Sequence, residues 1–176
     1  HPADAKVIVD ARHSTFATPY GLTALLTLAQ TRAEKAEFLP PENPDTVSYW
    51  ARAGFFRHAE ELFDLRGHVP RPRSAGESDV LLEVTPVTRS DDVHGVVERI
   101  QERAASILLN KLHLESRATM GFAMTLSEAC QNIVEHAGRG GWVMVQAYNY
   151  RRRLGGRFVV VIAVCDAGVG FRSSLE

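Results

Sequence analysis

Glu128, Asn132 and His136 stand at i, i+4 and i+8 in Ser127-Glu128-Ala129-Cys130-Gln131-Asn132-Ile133-Val134-Glu135-His136, so in a helix they form one ridge across two turns. Thr125 and Glu135 join them within an arc of roughly 100°. Phe122, Ala123, Leu126, Ala129, Cys130, Ile133, Val134 and Ala137 occupy the opposite arc. The apolar arc accounts for how such a helix is held. The polar arc carries an acid, a carboxamide and an imidazole in place of Lys and Glu pairs. A carboxylate beside an amide oxygen suits Mg²⁺, which takes oxygen ligands and keeps waters for bridging to phosphate. A carboxylate on that ridge can also serve as a general base, worth on the order of 10²–10⁴ in rate. The alternative is an ordinary solvated helix face.

A second constellation is Asp166-Ala167-Gly168-Val169-Gly170, directly after the apolar run Phe158 to Cys165. A buried strand ending in Asp places one acceptor at the rim of an apolar pocket. Two glycines beyond it let a flat ring approach the backbone. Such an Asp accepts a hydrogen bond from an exocyclic amine and so selects adenine. Read alone, the same residues also describe a tight turn.

The elements that must position these groups fall into two halves, an α/β reading in both. Residues 66–78 are rich in Pro, Gly, Ser and Arg without apolar periodicity and read as a linker between a domain at 1–65 and a domain at 79–176. In the first, a strand over Lys6 to Asp10 precedes a turn at Thr18-Pro19-Tyr20-Gly21 and a helix over Leu22 to Glu34. A strand over Ala36 to Leu39 and helices over Asp45 to Ala53 and Phe56 to Leu65, parted by Gly54, complete a small α/β layer. The second opens with a strand over Val80 to Val87. Ser90 can cap a helix through Leu112 whose stripe is Val93, Val97, Ile100, Ala104, Ile107 and Leu108. The Ser116–Ala137 helix follows, stopped by Gly138, Gly140 and Gly141. Strands over Trp142 to Tyr150 and Arg157 to Asp166 then give two helices laid on an antiparallel or mixed sheet, an α/β sandwich.

The chain has 176 residues, 45% hydrophobic and 23% charged, with a formal net charge of −1. Those values suit globular domains and supply no overall attraction to nucleic acid or an anionic membrane. Arg151-Arg152-Arg153 reads either as a clamp for phosphate or an acidic partner, or as a solvated hairpin tip; without interleaved aromatics it does not read as a nucleic-acid surface. Phe158 to Cys165 is far too short to cross a bilayer. No apolar run follows His1-Pro2-Ala3-Asp4, so no secretory leader is expected. Both ends read as cut: the sequence lacks an initiator Met and stops just after the glycine turn. Cys130 and Cys165 lack CxxC spacing and read as buried thiols of a cytoplasmic protein.

E-x-x-x-N on a helix followed by strand-DxGxG resembles the histidine-kinase-like ATPases (GHKL, or Bergerat fold) over about residues 79–176, and within them the anti-sigma-factor serine kinases. The resemblance implies ATP and Mg²⁺ as cofactors, with Asn132 on the metal and Glu128 as base or water-orienting group. It further implies that Asp166 contacts adenine, that Gly168 and Gly170 line the purine pocket, and that His136 lies close to the nucleotide. The implied activity is Mg-ATP-dependent phosphorylation of Ser or Thr on a protein partner, an anti-sigma antagonist or a sigma-factor-like regulator, in a partner-switching pathway. Such kinases often form homodimers. The family's ATP lid and second glycine box lie C-terminal to Gly170 and the sequence stops at Glu176, so weak or absent ATP binding is also expected.

Val7-Ile8-Val9-Asp10, Phe16 to Leu22 and Val47 to Phe56 resemble the STAS, or anti-sigma-antagonist, fold, without its first strands. Pro19 stands where that family accepts phosphate, and proline has no hydroxyl; Thr18 is adjacent. The likeness implies a sensor or docking element beside the kinase-like domain, against a small domain that only packs on its neighbour. A different class stays open for the whole: a non-catalytic interaction or nucleotide-sensing module with a degenerate ATP pocket.

Overall fold

Aromatic residues organise the first layer of the computed structural model, which describes residues 6–70, 80–88, 93–150 and 157–168. Strands β1 (Ile8–Asp10), β2 (Ala36–Leu39) and β3 (Phe63–Leu65) form a parallel sheet in that order. Alternation sets its faces. Ala36, Phe38 and Phe63 are buried, while Glu37 on the outer face takes ion pairs from Lys6 at 2.8 Å and Arg66 at 3.0 Å. Inside, the Phe38 ring lies 5.2 Å from Phe63 and 5.5 Å from Phe55, and Trp50 lies 5.0 Å from Phe55.

Three helices connect and cover these strands. Helix α1 (Pro19–Gln30) starts a turn earlier than Leu22 because Thr18 is its cap, accepting from the Gly21 N–H at 3.1 Å, and Pro19 occupies the first position, where no N–H is needed. It ends before Glu34, where the Thr31 hydroxyl donates to the Leu28 carbonyl at 2.7 Å. Asn43 caps α2 (Pro44–Arg52) through the N–H groups of Asp45 and Thr46. Gly54, at φ 78°, turns the chain into α3 (Phe55–Leu62). The sequence reading carried that helix through Leu65; instead Phe63 to Leu65 are extended and pair with β2. Phe55, Phe56, Ala59 and Phe63 keep helical spacing, so periodicity does not distinguish the two outcomes. The pairing does.

The second half contains β4 (Leu81–Val87), α4 (Val93–Leu112), α5 (Ser116–His136), β5 (Gly141–Tyr150) and β6 (Arg157–Asp166). The strands form an antiparallel sheet, β4-β5-β6, with Val87 opposite Gly141 and Gly141 opposite Asp166. The architecture is mixed, one parallel and one antiparallel sheet with helices. Val97, Ile100, Ala104, Ile107 and Leu108 of α4 are buried, as the stripe predicts. Ser90, residues 71–79 and Arg151–Arg153 lie outside the described residues, as does the side chain of Val93.

Central strand β5 is buried on both faces from Gly141 to Ala147. Val143, Val145 and Ala147 share a cluster with Ile100, Ile107, Leu126, Cys130 and Ile133. Trp142 and Met144 join Leu81 and Val84 in the cluster that holds Leu22, Leu26, Phe38 and Trp50. The first half therefore covers the sheet face that α4 and α5 leave bare, with α1 packed on β5 and β6. Polar contacts seal this junction. The Trp142 Nε1–H donates to the Gln30 Oε1 at 2.9 Å, Arg139 donates to the Gln30 carbonyl at 3.1 Å, and the Gln30 side-chain amide donates to the Arg139 carbonyl. The Val84 N–H donates to the Ala53 carbonyl at 2.8 Å.

Candidate functional site

Helix α5 is held on the sheet by Leu126, Cys130 and Ile133, with Ala137 as its C-cap. Glu128 and Asn132, one turn apart, are both exposed on the opposite side. Burial without a charged partner pushes the Cys130 thiol up to about 11. Cys165 departs from the expected full burial: it is half-buried at the junction and accepts a hydrogen bond from the Thr23 hydroxyl at 3.2 Å. Phe122 departs too, at 44% exposed, whereas Ala123 beside it is buried as expected. Thr125 spends its hydroxyl on the Gly121 carbonyl at 3.1 Å. His136 is the last residue of α5, and its side chain lies outside the described residues.

Asp166 ends β6 and is exposed, with its Oδ1 accepting from the Gly168 N–H at 2.8 Å. One carboxylate oxygen thus folds the turn, and Oδ2 remains as an acceptor. A Cβ on Gly168 would lie 3.0 Å from the Ala137 Cα. The turn therefore abuts the end of α5, five residues past Asn132. The glycine turn and the C-terminal end of α5, which the sequence separates by a strand pair, meet at one end of the sheet. Gly170 lies outside the described residues.

Two residues read only as helix stops have a second use. A Cβ on Gly140, at φ 79°, would sit 2.7 Å from the Val87 carbonyl oxygen. One on Gly141 would collide with the Cys165 carbonyl oxygen and come within 3.1 Å of the Asp166 Cα and the Ile133 Cδ1. Their absent side chains let β5 begin in contact with the end of β6 and the wall of α5. A pair of glycines at the start of an otherwise apolar strand was the available signal.

Chemically, Glu128 and Asn132 offer a carboxylate and an amide oxygen to solvent, and Asp166 offers an acceptor at the end of β6. Among the described residues no group of three or more His, Cys, Asp or Glu could enclose a metal ion. A cation there would take part of its shell from water or phosphate, which suits Mg²⁺ better than a structural transition metal. None of the described helices is long and apolar enough to cross a membrane. Against family models, curated proteins and solved structures, the chain shows no match.

Proposed function

We propose that the chain is a cytoplasmic ATP-binding regulator that phosphorylates Ser or Thr on a protein partner, in the manner of the anti-sigma-factor kinases it resembles. The observation that supports this most is the seating of Gly168 against Ala137, which brings Asp166 to the helix end that carries Asn132. The residues suit the cofactors: an exposed amide oxygen for the metal and a spare carboxylate oxygen for an exocyclic amine.

In this reading Asn132 holds Mg²⁺ through Oδ1, and Asp166 reads adenine through Oδ2. Gly168 and Gly170 are assigned to the purine pocket, and His136 to the nucleotide, by resemblance. When bound, Mg-ATP supplies the phosphoryl group and the charge neutralisation that phosphoryl transfer requires. Glu128 accepts the proton of the attacking Ser or Thr hydroxyl at its carboxylate. The partner, a regulator of the sigma-factor or antagonist kind, contributes that hydroxyl.

A thermal-shift series with Mg-ATP, Mg-ADP and Mg-GTP tests the reading. Ligand at 100 times its Kd stabilises the fold by about 2.7 kcal/mol. An adenine-selective shift that Asn132→Ala and Asp166→Asn both abolish is expected. Glu128→Gln should keep the shift and lose phosphate transfer. Binding without turnover in the wild type would favour the non-catalytic, nucleotide-sensing reading, and no shift at all would remove both.

A further inference from the structure

A cavity of about 450 Å³ opens where α2 and the β1–α1 loop meet β4 and β5. Phe16 of the loop, Tyr49 and Arg52 of α2, and Leu81, Gln146 and Tyr148 of the sheet line it, so both halves of the chain build it. Its size falls in the range of small-molecule sites, roughly 300–1,000 Å³. The Phe16 ring is 59% exposed and its centroid lies 6.2 Å from that of Tyr148. The buried Tyr49 hydroxyl faces that of Tyr148 and feels the charge of Arg52.

Two observations fix the polarity of an occupant. Gln146 commits its amide nitrogen to the Val80 and Ala147 carbonyls, at 3.2 Å and 2.8 Å. Both partners are acceptors, so the amide orientation follows and Oε1 is left as an acceptor, which disfavours a second anionic group on an occupant and suits a ring N–H such as that of an indole. Arg52 has no carboxylate partner among the described residues, and its planar fork matches a carboxylate in bidentate fashion. Asp45 also lines the cavity. It stands seven residues before Arg52, about 10 Å along the helix, so it confines negative charge to the Arg52 end and disfavours a second one.

We propose that this cavity binds a small aromatic monocarboxylate, its carboxylate on Arg52 and its ring against Phe16, Leu81 and Tyr148. The site is separate from the nucleotide reading and does not depend on it. Gly141, opposite Asp166, and Tyr148 lie on the same strand, and seven strand residues span about 20 Å. An occupant would tie α2 and the loop to the sheet, and so act as a ligand-dependent clamp between the two halves.

Isothermal titration of the intact chain with phenylacetate, phenylpropanoate and indoleacetate tests this, with phenylacetamide and hexanoate as controls. At least one aromatic carboxylate should bind about tenfold more tightly than both controls. Arg52→Gln, a change at an exposed position with no bearing on the core, should reduce that binding to the level of the amide. Phe16→Ala should weaken aromatic carboxylate and amide alike. The proposal is overturned if none of the three acids binds, if phenylacetamide or hexanoate binds as well as they do, or if Arg52→Gln leaves binding unchanged.

Discussion

The placement of Asp166 hangs on a residue with no side chain. Gly141 faces Asp166 across the β5–β6 ladder, and a methyl group there has nowhere to go, since backbone and Ile133 close in from three directions. Relief requires β6 to move from α5, which would carry Asp166 with it. Gly141→Ala should therefore destabilise the fold by about 1–3 kcal/mol, the usual cost of overpacking, and on the proposed function it should also weaken adenine-nucleotide binding. Gly121→Ala makes the contrast, because a Cβ on this helical glycine meets nothing within 4 Å. Helix propensity alone then predicts a gain of up to about 1 kcal/mol. Urea unfolding of the two variants measures both, and equal midpoints would refute the close approach. In the sequence the glycines were visible as helix stops, but the atoms they avoid belong to residues far along the chain.

At the scale of elements, α3 reaches the antiparallel sheet through the Arg57–Glu83 ion pair at 3.0 Å and through His58. The His58 ring lies 4.9 Å from that of Trp142, and its Nε2 is 3.1 Å from the Val84 carbonyl oxygen. A carbonyl only accepts, so Nε2 carries the proton and the neutral ring satisfies the contact. Burial lowers the His58 pKa below its ordinary 6.5, against a smaller opposing effect from that hydrogen bond. Below about pH 6.5 the unfolded chain takes up a proton that the folded chain resists. This contribution to stability is therefore fully present above that value and is lost as pH falls from it toward the folded pKa. His58→Gln removes this slope. The stability difference between variant and wild type should shift in favour of the variant between about pH 7.5 and about pH 5; parallel pH curves would show that protonation is not restrained. The helix itself was readable from Phe55, Phe56 and Ala59. That it stops at Leu62 was not, because β2 supplies the hydrogen bonds that make Phe63 to Leu65 a strand.

The described residues of the whole molecule form two apolar clusters, one within the second half and one shared by both halves. Leu81, Val84, Trp142 and Met144 pack with the first-layer aromatics, so removing one half would expose a face of the other. Unfolding should then be one cooperative event. Both tryptophans pack in that shared cluster, Trp50 among the phenylalanines of the first half and Trp142 on β5 of the second. Trp142→Phe and Trp50→Phe variants leave one reporter each. Their fluorescence transitions should coincide with the loss of far-UV circular dichroism in the same variant. Separate transitions for helix content and for either tryptophan would show that the halves fold independently.

What the sequence determined by itself is what short-range chemistry dictates. Periodicity placed the α4 stripe and the buried side of α5 from Leu126 onward, alternation and apolar runs placed five of the strands, and Asp166 with Gly168 marked a turn. Cap chemistry was also present in the letters, in Thr18-Pro19 and Asn43-Pro44, although it moved the start of α1 by a turn. Only the tertiary structure decided that the first half lies on the open face of the antiparallel sheet. It alone decided that Gly168 touches Ala137, and that Tyr49, Arg52, Gln146 and Tyr148 enclose one cavity. Each of those facts depends on the burial of apolar faces that match in shape across long separations, and a local pattern records that a face is apolar without recording what will cover it.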